Sequence, residues 1–176
     1  MVGIHGENAA RNSKKVILNL EKTLDTEFKE KLSINLIDSH LLVANQEDNF
    51  ASIDTIIFDP LTGIMEFIKI GACQTFISTK NDIITVESNI MPSGNFDELE
   101  IQSITKRLFR GDFIVMVTDG IIEANTEKKE EAIIELLKTV KKVGSQRLAD
   151  TILQESLDRN FGVAKDDMTV IIVKVI

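Results

Sequence analysis

The chain has 176 residues, with 20 basic and 28 acidic side chains and a formal net charge of −8. That length suits one domain, and the acidic balance argues against nucleic acid or anionic membrane as the main partner, because both demand a basic face. Hydrophobic residues make up 43% of the chain, which excludes disorder as the main state. No apolar run nears the roughly 18 residues that span a bilayer, and Met1-Val2-Gly3-Ile4-His5 lacks the charged and apolar regions of a secretory signal. The one cysteine, Cys73, excludes an internal disulfide and a multi-cysteine zinc site. A cytoplasmic domain with no direct membrane insertion is expected, although a longer parent would be free to carry an anchor.

In chain order, Gly3, His5 and Gly6 read as a frayed start, with a glycine turn holding an anion at a helix N-terminus as the alternative. Over residues 7–28, Ile17, Leu20, Leu24 and Phe28 recur at spacings of three and four, and Ser13 and Ala10 continue the line, which predicts one face of a helix. A second helix over residues 29–44 carries Ile34, Ile37, Leu41 and Ala44 on one stripe and ends in polar residues 45–49.

The middle third turns β-branched and aromatic. Residues 51–59 predict a strand, and Asp59-Pro60-Leu61-Thr62-Gly63 a turn in which proline presets φ and glycine supplies the positive φ of the exit. Residues 64–70 complete that hairpin, and residues 75–79 and 83–87 flank Lys80-Asn81-Asp82 as another. Residues 99–108 lead to Arg110-Gly111-Asp112, and the continuously apolar residues 113–117 predict a buried central strand.

Two helices follow. The first carries Ile133, Leu136, Leu137 and Val140, with Lys138, Lys141 and Lys142 where cations suit the helix dipole. Gly144 ends it, and Ser145 is the expected N-cap of the next, which carries Leu148, Ile152 and Leu153. Residues 168–176 predict a last, buried strand. Strands framed by helix pairs point to an α/β fold, a layered αββα sandwich of antiparallel sheets flanked by helix pairs, as one domain over residues 1–176.

Two acidic positions stand out. Asp119, in Thr118-Asp119-Gly120, leaves one core strand, and Asp166, in Ala164-Lys165-Asp166-Asp167-Met168-Thr169, enters another. Taken singly, the first also reads as an ordinary turn and the second as a solvated loop. If the two strands are antiparallel neighbours, exit and entrance share one edge of the sheet. Carboxylates gathered there repel unless a cation or proton compensates. Oxygen ligands without nearby Cys or His favour a hard divalent ion such as Mg²⁺ or Mn²⁺. His5 and His40 form no metal motif, Cys73 reads as a small buried filler, and no histidine–carboxylate pairing supports a triad. Glu127-Lys128-Lys129-Glu130-Glu131 reads as the solvated start of a helix.

The order of five segments resembles the PPM-type metal-dependent Ser/Thr phosphatases of the protein phosphatase 2C superfamily and, within them, the phosphatase domains of the stage II sporulation protein E family. They are Gly6-Glu7-Asn8-Ala9-Ala10-Arg11-Asn12-Ser13-Lys14, Ser52-Ile53-Asp54 leading into Phe67-Ile68-Lys69-Ile70-Gly71, Met91-Pro92-Ser93-Gly94, Gly111-Asp112-Phe113 through Thr118-Asp119-Gly120-Ile121, and Asp166-Asp167-Met168-Thr169-Val170. The resemblance implies a binuclear Mn²⁺/Mg²⁺ centre whose metals activate a water against phosphorus. It carries metal-ligating, catalytic roles onto Asp119 and Asp166 and leaves Asp167 outside the metal's own ligands. It also implies a phosphorylated regulatory protein, such as an anti-anti-sigma factor, as substrate, and a switch role for the first two helices.

Two departures accompany the matches. The family's domain begins with strands ending in Asp-Gly, whose aspartate bridges both metals, whereas Met1, Val2 or Gly3 stands at that place here. Gln74 stands where relatives often carry proline. Weak or single-site metal binding and impaired activity are therefore expected. Absent N-terminal strands would leave sheet edges open, so a homodimer or strand-exchanged oligomer is expected as well. The competing functions are a non-catalytic interaction module of the same fold and a divalent-ion sensor.

Overall fold

Valine, isoleucine and phenylalanine fill most strand positions, because branched and aromatic side chains suit a pleated, half-buried surface. The computed structural model describes residues 2–4, 14, 17–18, 51–88, 103–124, 129–140 and 143–176. Its strands are β1 (Val2–Ile4), β2 (Ala51–Asp59), β3 (Ile64–Ile70) and β4 (Thr75–Ser78). They continue with β5 (Ile83–Val86), β6 (Ser103–Arg107), β7 (Phe113–Val117) and β8 (Val170–Lys174). The helices are α1 (Asp119–Glu123), α2 (Lys129–Thr139) and α3 (Ser145–Arg159). The strands form two sheets, in the orders β1-β2-β3-β6 and β5-β4-β7-β8. The chain divides into two compact units. One comprises Met1–Phe58, Met65–Ala72 and Ser88–Lys106, and the other Asp59–Ile64, Cys73–Glu87 and Arg107–Ile176.

In the first unit, β1 pairs antiparallel with β2 in the register Val2↔Ile53, Gly3↔Ser52 and Ile4↔Ala51. The expected frayed start is thus corrected: alternating Val2 and Ile4 favour an extended chain, and the edge of β2 offers it main-chain partners. Ile53, Phe67, Ile68 and Ile70 are fully buried. Among them lies an ion pair that the sequence did not announce. Lys69 Nζ stands 2.6 Å from Asp54 Oδ2, with side chains 2% and 4% exposed. Nearby, the Ser88 hydroxyl donates to the Lys69 carbonyl and accepts from the Gly71 N–H, tying the end of β3 to the segment after β5.

The second unit holds the hairpins' punctuation and the larger core. The carboxylate of Asp59 accepts the N–H of Leu61 and the hydroxyl of Thr62, and Gly63, at φ +70°, closes the turn onto the Asp59 carbonyl. Thr79 does the same for the β4–β5 connection, its hydroxyl meeting the N–H and the carbonyl of Asp82. All pairings in the sheet are antiparallel, β4 with β5, β4 with β7, and β7 with β8. The expected central strand, β7, is buried at Ile114, Val115, Met116 and Val117. Helices α1, α2 and α3 bring Ile121, Ile122, Ile133, Leu137, Leu148 and Ile152 into one core with Phe76, Val115 and Val117. Cys73 packs half-buried against that core.

Three local expectations change. Gly144, not Ser145, is the N-cap of α3, with an extended backbone at φ −71° and ψ 156° and no side-chain cap, while Ser145 is already helical. Strand β8 is shorter than residues 168–176 and buried on one face only: Val170 and Ile172 pack half-buried against the core, while Ile171 and Val173 on the opposite face are 39% and 41% exposed. The exit of β7, for which an ordinary turn is one of two sequence readings, winds into α1. The two expected N-terminal helices lie outside the described residues except for Lys14, Ile17 and Leu18, which are helical and exposed. His5, His40 and the loop of Met91-Pro92-Ser93-Gly94 also lie outside them. No described helix is long and apolar enough to cross a membrane.

Removing one partner of a buried ion pair takes from the other charge its nearest counter-ion. Lys69→Met should therefore cost about 3–5 kcal/mol, while adding Asp54→Leu to it should restore most of that loss. Urea unfolding midpoints of the three proteins measure the difference.

Candidate functional site

The site begins with the register of two strands. In the β7–β8 ladder Val117 faces Val170, so the residues that follow β7 lie beside those that precede β8. Thr118 is the joint. Its N–H donates to the Thr169 carbonyl at 3.1 Å, and its hydroxyl accepts the Thr169 N–H at 2.8 Å. The same hydroxyl donates to the Asp167 carbonyl at 2.9 Å. One side chain thus extends the ladder past the last strand residue. A β-branched threonine suits that place, since it continues the extended backbone (φ −85°, ψ 164°) while supplying both a donor and an acceptor.

Gly120 brings the two segments closer still. A Cβ on this residue would stand 2.6 Å from the Asp167 carbonyl oxygen, 3.1 Å from the Asp167 carbonyl carbon and 3.3 Å from that of Asp166. Only glycine lets the start of α1 lie directly on the Asp166–Asp167 backbone. The Asp-Gly dipeptide that reads as a turn in sequence is therefore a close approach between two chain segments 46 residues or more apart.

Asp119 and Asp166 flank this contact. Asp119, half-buried at the first position of α1, accepts the Gly120 N–H on Oδ1 at 3.0 Å. Asp166, exposed in the loop before β8, accepts the Asp167 N–H on Oδ1 at 2.7 Å. Each carboxylate is turned toward its own following peptide. Neither these two nor Asp167 forms an ion pair with a described residue. Negative charge therefore gathers without a cationic partner at this end of the sheet. The donor chemistry is hard oxygen throughout, which fits Mg²⁺ or Mn²⁺ in kind. In number it falls short, for no group of three or more His, Cys, Asp or Glu side chains is placed for a metal ion among the described residues.

Asp119 and Asp166 stand out in the sequence, whereas Thr118 and Thr169, whose hydrogen bonds set those backbones side by side, do not. The available signal was the threonine at the same offset on each strand end, one residue beyond the Val117–Val170 pair.

Residues 2–176 match the family model described as stage II sporulation protein E (SpoIIE). The chain is 28% identical over 173 residues to stage II sporulation protein E of Bacillus subtilis (strain 168), covering 97% of this chain and 21% of that protein. It is 26% identical over 172 residues to the protein of that name from Priestia megaterium, with 97% and 29% covered. It thus spans less than a third of the length of these relatives. Among solved structures, it is similar to the PP2C phosphatase domain with a fragment of the regulatory domain of SpoIIE from Bacillus subtilis, at TM-score 0.84 and 27% identity, covering 97% of this chain and 51% of that one. The same domain in a crystal form without domain swapping matches at TM-score 0.74 and 28% identity, over 96% and 75%. The catalytic domain of the serine threonine protein phosphatase PstP, in complex with two manganese ions, matches at TM-score 0.75 and 16% identity over 98% and 85%, a likeness of fold alone.

Because the Asp167 carbonyl is backbone, it cannot swing aside for a new methyl group. Gly120→Ala should therefore destabilise the protein by about 1–3 kcal/mol and speed amide exchange at Thr169. Thr118→Ser should leave that exchange near its original rate, and Thr118→Val should raise it, since only serine keeps the bridging hydroxyl.

Proposed function

The chain belongs to the stage II sporulation protein E family, and from that premise we propose that it is a metal-dependent phosphoprotein phosphatase domain. Its substrate is phosphoserine or phosphothreonine on a small regulatory protein, such as an anti-anti-sigma factor. Residues 1–176 act as one such domain in this reading, which is supported by the 97% coverage of this chain by the SpoIIE phosphatase structure. The observation that carries it is the seating of Gly120 on the Asp166–Asp167 backbone, which sets Asp119 and Asp166 on either side of one contact.

Asp119 and Asp166 would hold the ion, Mn²⁺ or Mg²⁺. Support comes from their oxygen-only chemistry, from a SpoIIE phosphatase domain studied after presoaking with manganese and from PstP in complex with two manganese ions. When bound, such an ion supplies charge neutralisation for the phosphate and acidity for a water nucleophile. The chain's own part is positional. The Gly120 and Asp167 N–H groups each occupy one carboxylate oxygen, which turns the other toward a ligand, and the Thr118 hydroxyl keeps the two segments in step. Asp167 contributes its carbonyl to that joint and is not assigned to the ion. Within residues 1–176 the family's bridging Asp-Gly has no counterpart, so these residues by themselves are assigned one weak ion rather than two tight ones.

A second copy of the chain is the other proposed partner. It is supported by the Bacillus subtilis domain, one crystal form of which is set apart as being without domain swapping. Edge strand β8 gives such an exchange a place to start.

The test is hydrolysis of p-nitrophenyl phosphate with and without Mn²⁺. Activity should require the ion and fall on the order of 100-fold or more in Asp119→Asn and Asp166→Asn, with melting temperatures in chelator unchanged or higher, because each substitution removes one of the mutually repelling charges. Calorimetric titration should find at most one weak Mn²⁺ site. Two tight sites, or turnover indifferent to both substitutions, would overturn the assignment.

A further inference from the structure

The loop that delivers Asp166 begins with a residue that stability does not explain. Helix α3 ends in a paired-bond cap: the Phe161 N–H donates to the Asp158 carbonyl at 3.1 Å and the Gly162 N–H to the Leu157 carbonyl at 2.8 Å. In this cap the residue after Asn160 takes a left-handed backbone, a position held most often by glycine and sometimes by asparagine. Here it is phenylalanine, at φ +55°, although glycine stands one place later. Bulky side chains are rare in that conformation because Cβ crowds the neighbouring carbonyl. The ring gains nothing by burial, being 96% exposed, and Val163 beside it is 60% exposed. The loop is nevertheless well held, for the buried Asn160 side chain donates to the Val163 carbonyl. Strained backbone that its surroundings hold in place clusters at active sites and ligand clamps.

The loop also has an order. Apolar Phe161 and Val163 come first, then Lys165, exposed and without an ion pair to any described residue, then Asp166. Asp166 stands five positions after Phe161, at most roughly 18 Å along the chain. An apolar post, a cation and a candidate metal ligand within that span match a polypeptide with a phosphorylated side chain and a large apolar residue a few positions away.

We propose that Phe161, with Val163, is a docking post for the phosphorylated polypeptide and sets specificity for a large apolar residue within about five positions of the phosphoserine. Lys165 meets the phosphate dianion on its approach. The inference rests on the phosphatase reading given above and adds to it the substrate feature that the loop selects.

The experiment uses two fluorescein-labelled phosphoserine peptides, one with leucines within five positions on either side of the phosphoserine and one with serines there. Binding is read by fluorescence anisotropy and phosphate release is followed with Mn²⁺. The leucine peptide should bind about ten-fold more tightly, as expected for one well-placed aromatic contact. Phe161→Asn should erase the difference while the melting temperature stays the same or rises, because asparagine tolerates the left-handed backbone. Wild-type protein that does not discriminate, or a variant that still does, overturns the proposal. Discrimination by leucine without phosphate release, and without preference for the phosphorylated over the unphosphorylated peptide, would instead leave the docking post standing and remove the phosphatase reading.

Discussion

The candidate site depends on one contact between main chains, the backbone of Gly120 against that of Asp166 and Asp167. Everything around it serves or follows from that approach. The β7–β8 register sets the two strand ends level, the Thr118 hydroxyl carries the ladder one step further, and the missing side chain of Gly120 allows α1 to start without a gap. Because the contact is made by backbone rather than by long side chains, it fixes where the main chains that carry Asp119 and Asp166 stand relative to each other.

The same arrangement concentrates charge. Asp119, Asp166 and Asp167 sit near one another in a protein that already carries a net charge of −8, and none has a cationic partner among the described residues. The first unit treats charge in the opposite way, matching Asp54 with Lys69 away from solvent. The contrast separates two uses of a carboxylate. One is neutralised internally and serves the fold, and the other is left without a cationic partner among the described residues.

Much of this was legible in the residues. Continuous apolarity marked β7 as central, Asp59-Pro60-Leu61-Thr62-Gly63 carried its turn chemistry openly, and the spacing of Ile133, Leu137, Leu148 and Ile152 gave the helices of the second core. Strand position within a sheet was harder. Residues 168–176 look buried because a run of apolar residues does not tell a strand covered on both faces from one covered on a single face, and β8 is the latter. Ser145 offered the right side chain for a cap but lies one residue too late, since Gly144 takes the extended backbone before the first helical bond. The Lys69–Asp54 pair and the Gly120 approach were invisible for a common reason: both join segments distant along the chain, and local pattern carries no information about such meetings.

Strand β8 has a consequence for how the protein behaves as a colloid. Its exposed face shows Ile171 and Val173, and the lone charge in the strand, Lys174, leans over the Phe113 ring at 5.3 Å. Mutual repulsion between acidic molecules is then the main guard against sticking along this face. Dissolved ions shorten the reach of that repulsion to about 8 Å at physiological strength. Clouding on concentration would thus be governed by ionic strength more than by temperature, with dilute buffers keeping the material clear and salting driving it into aggregates.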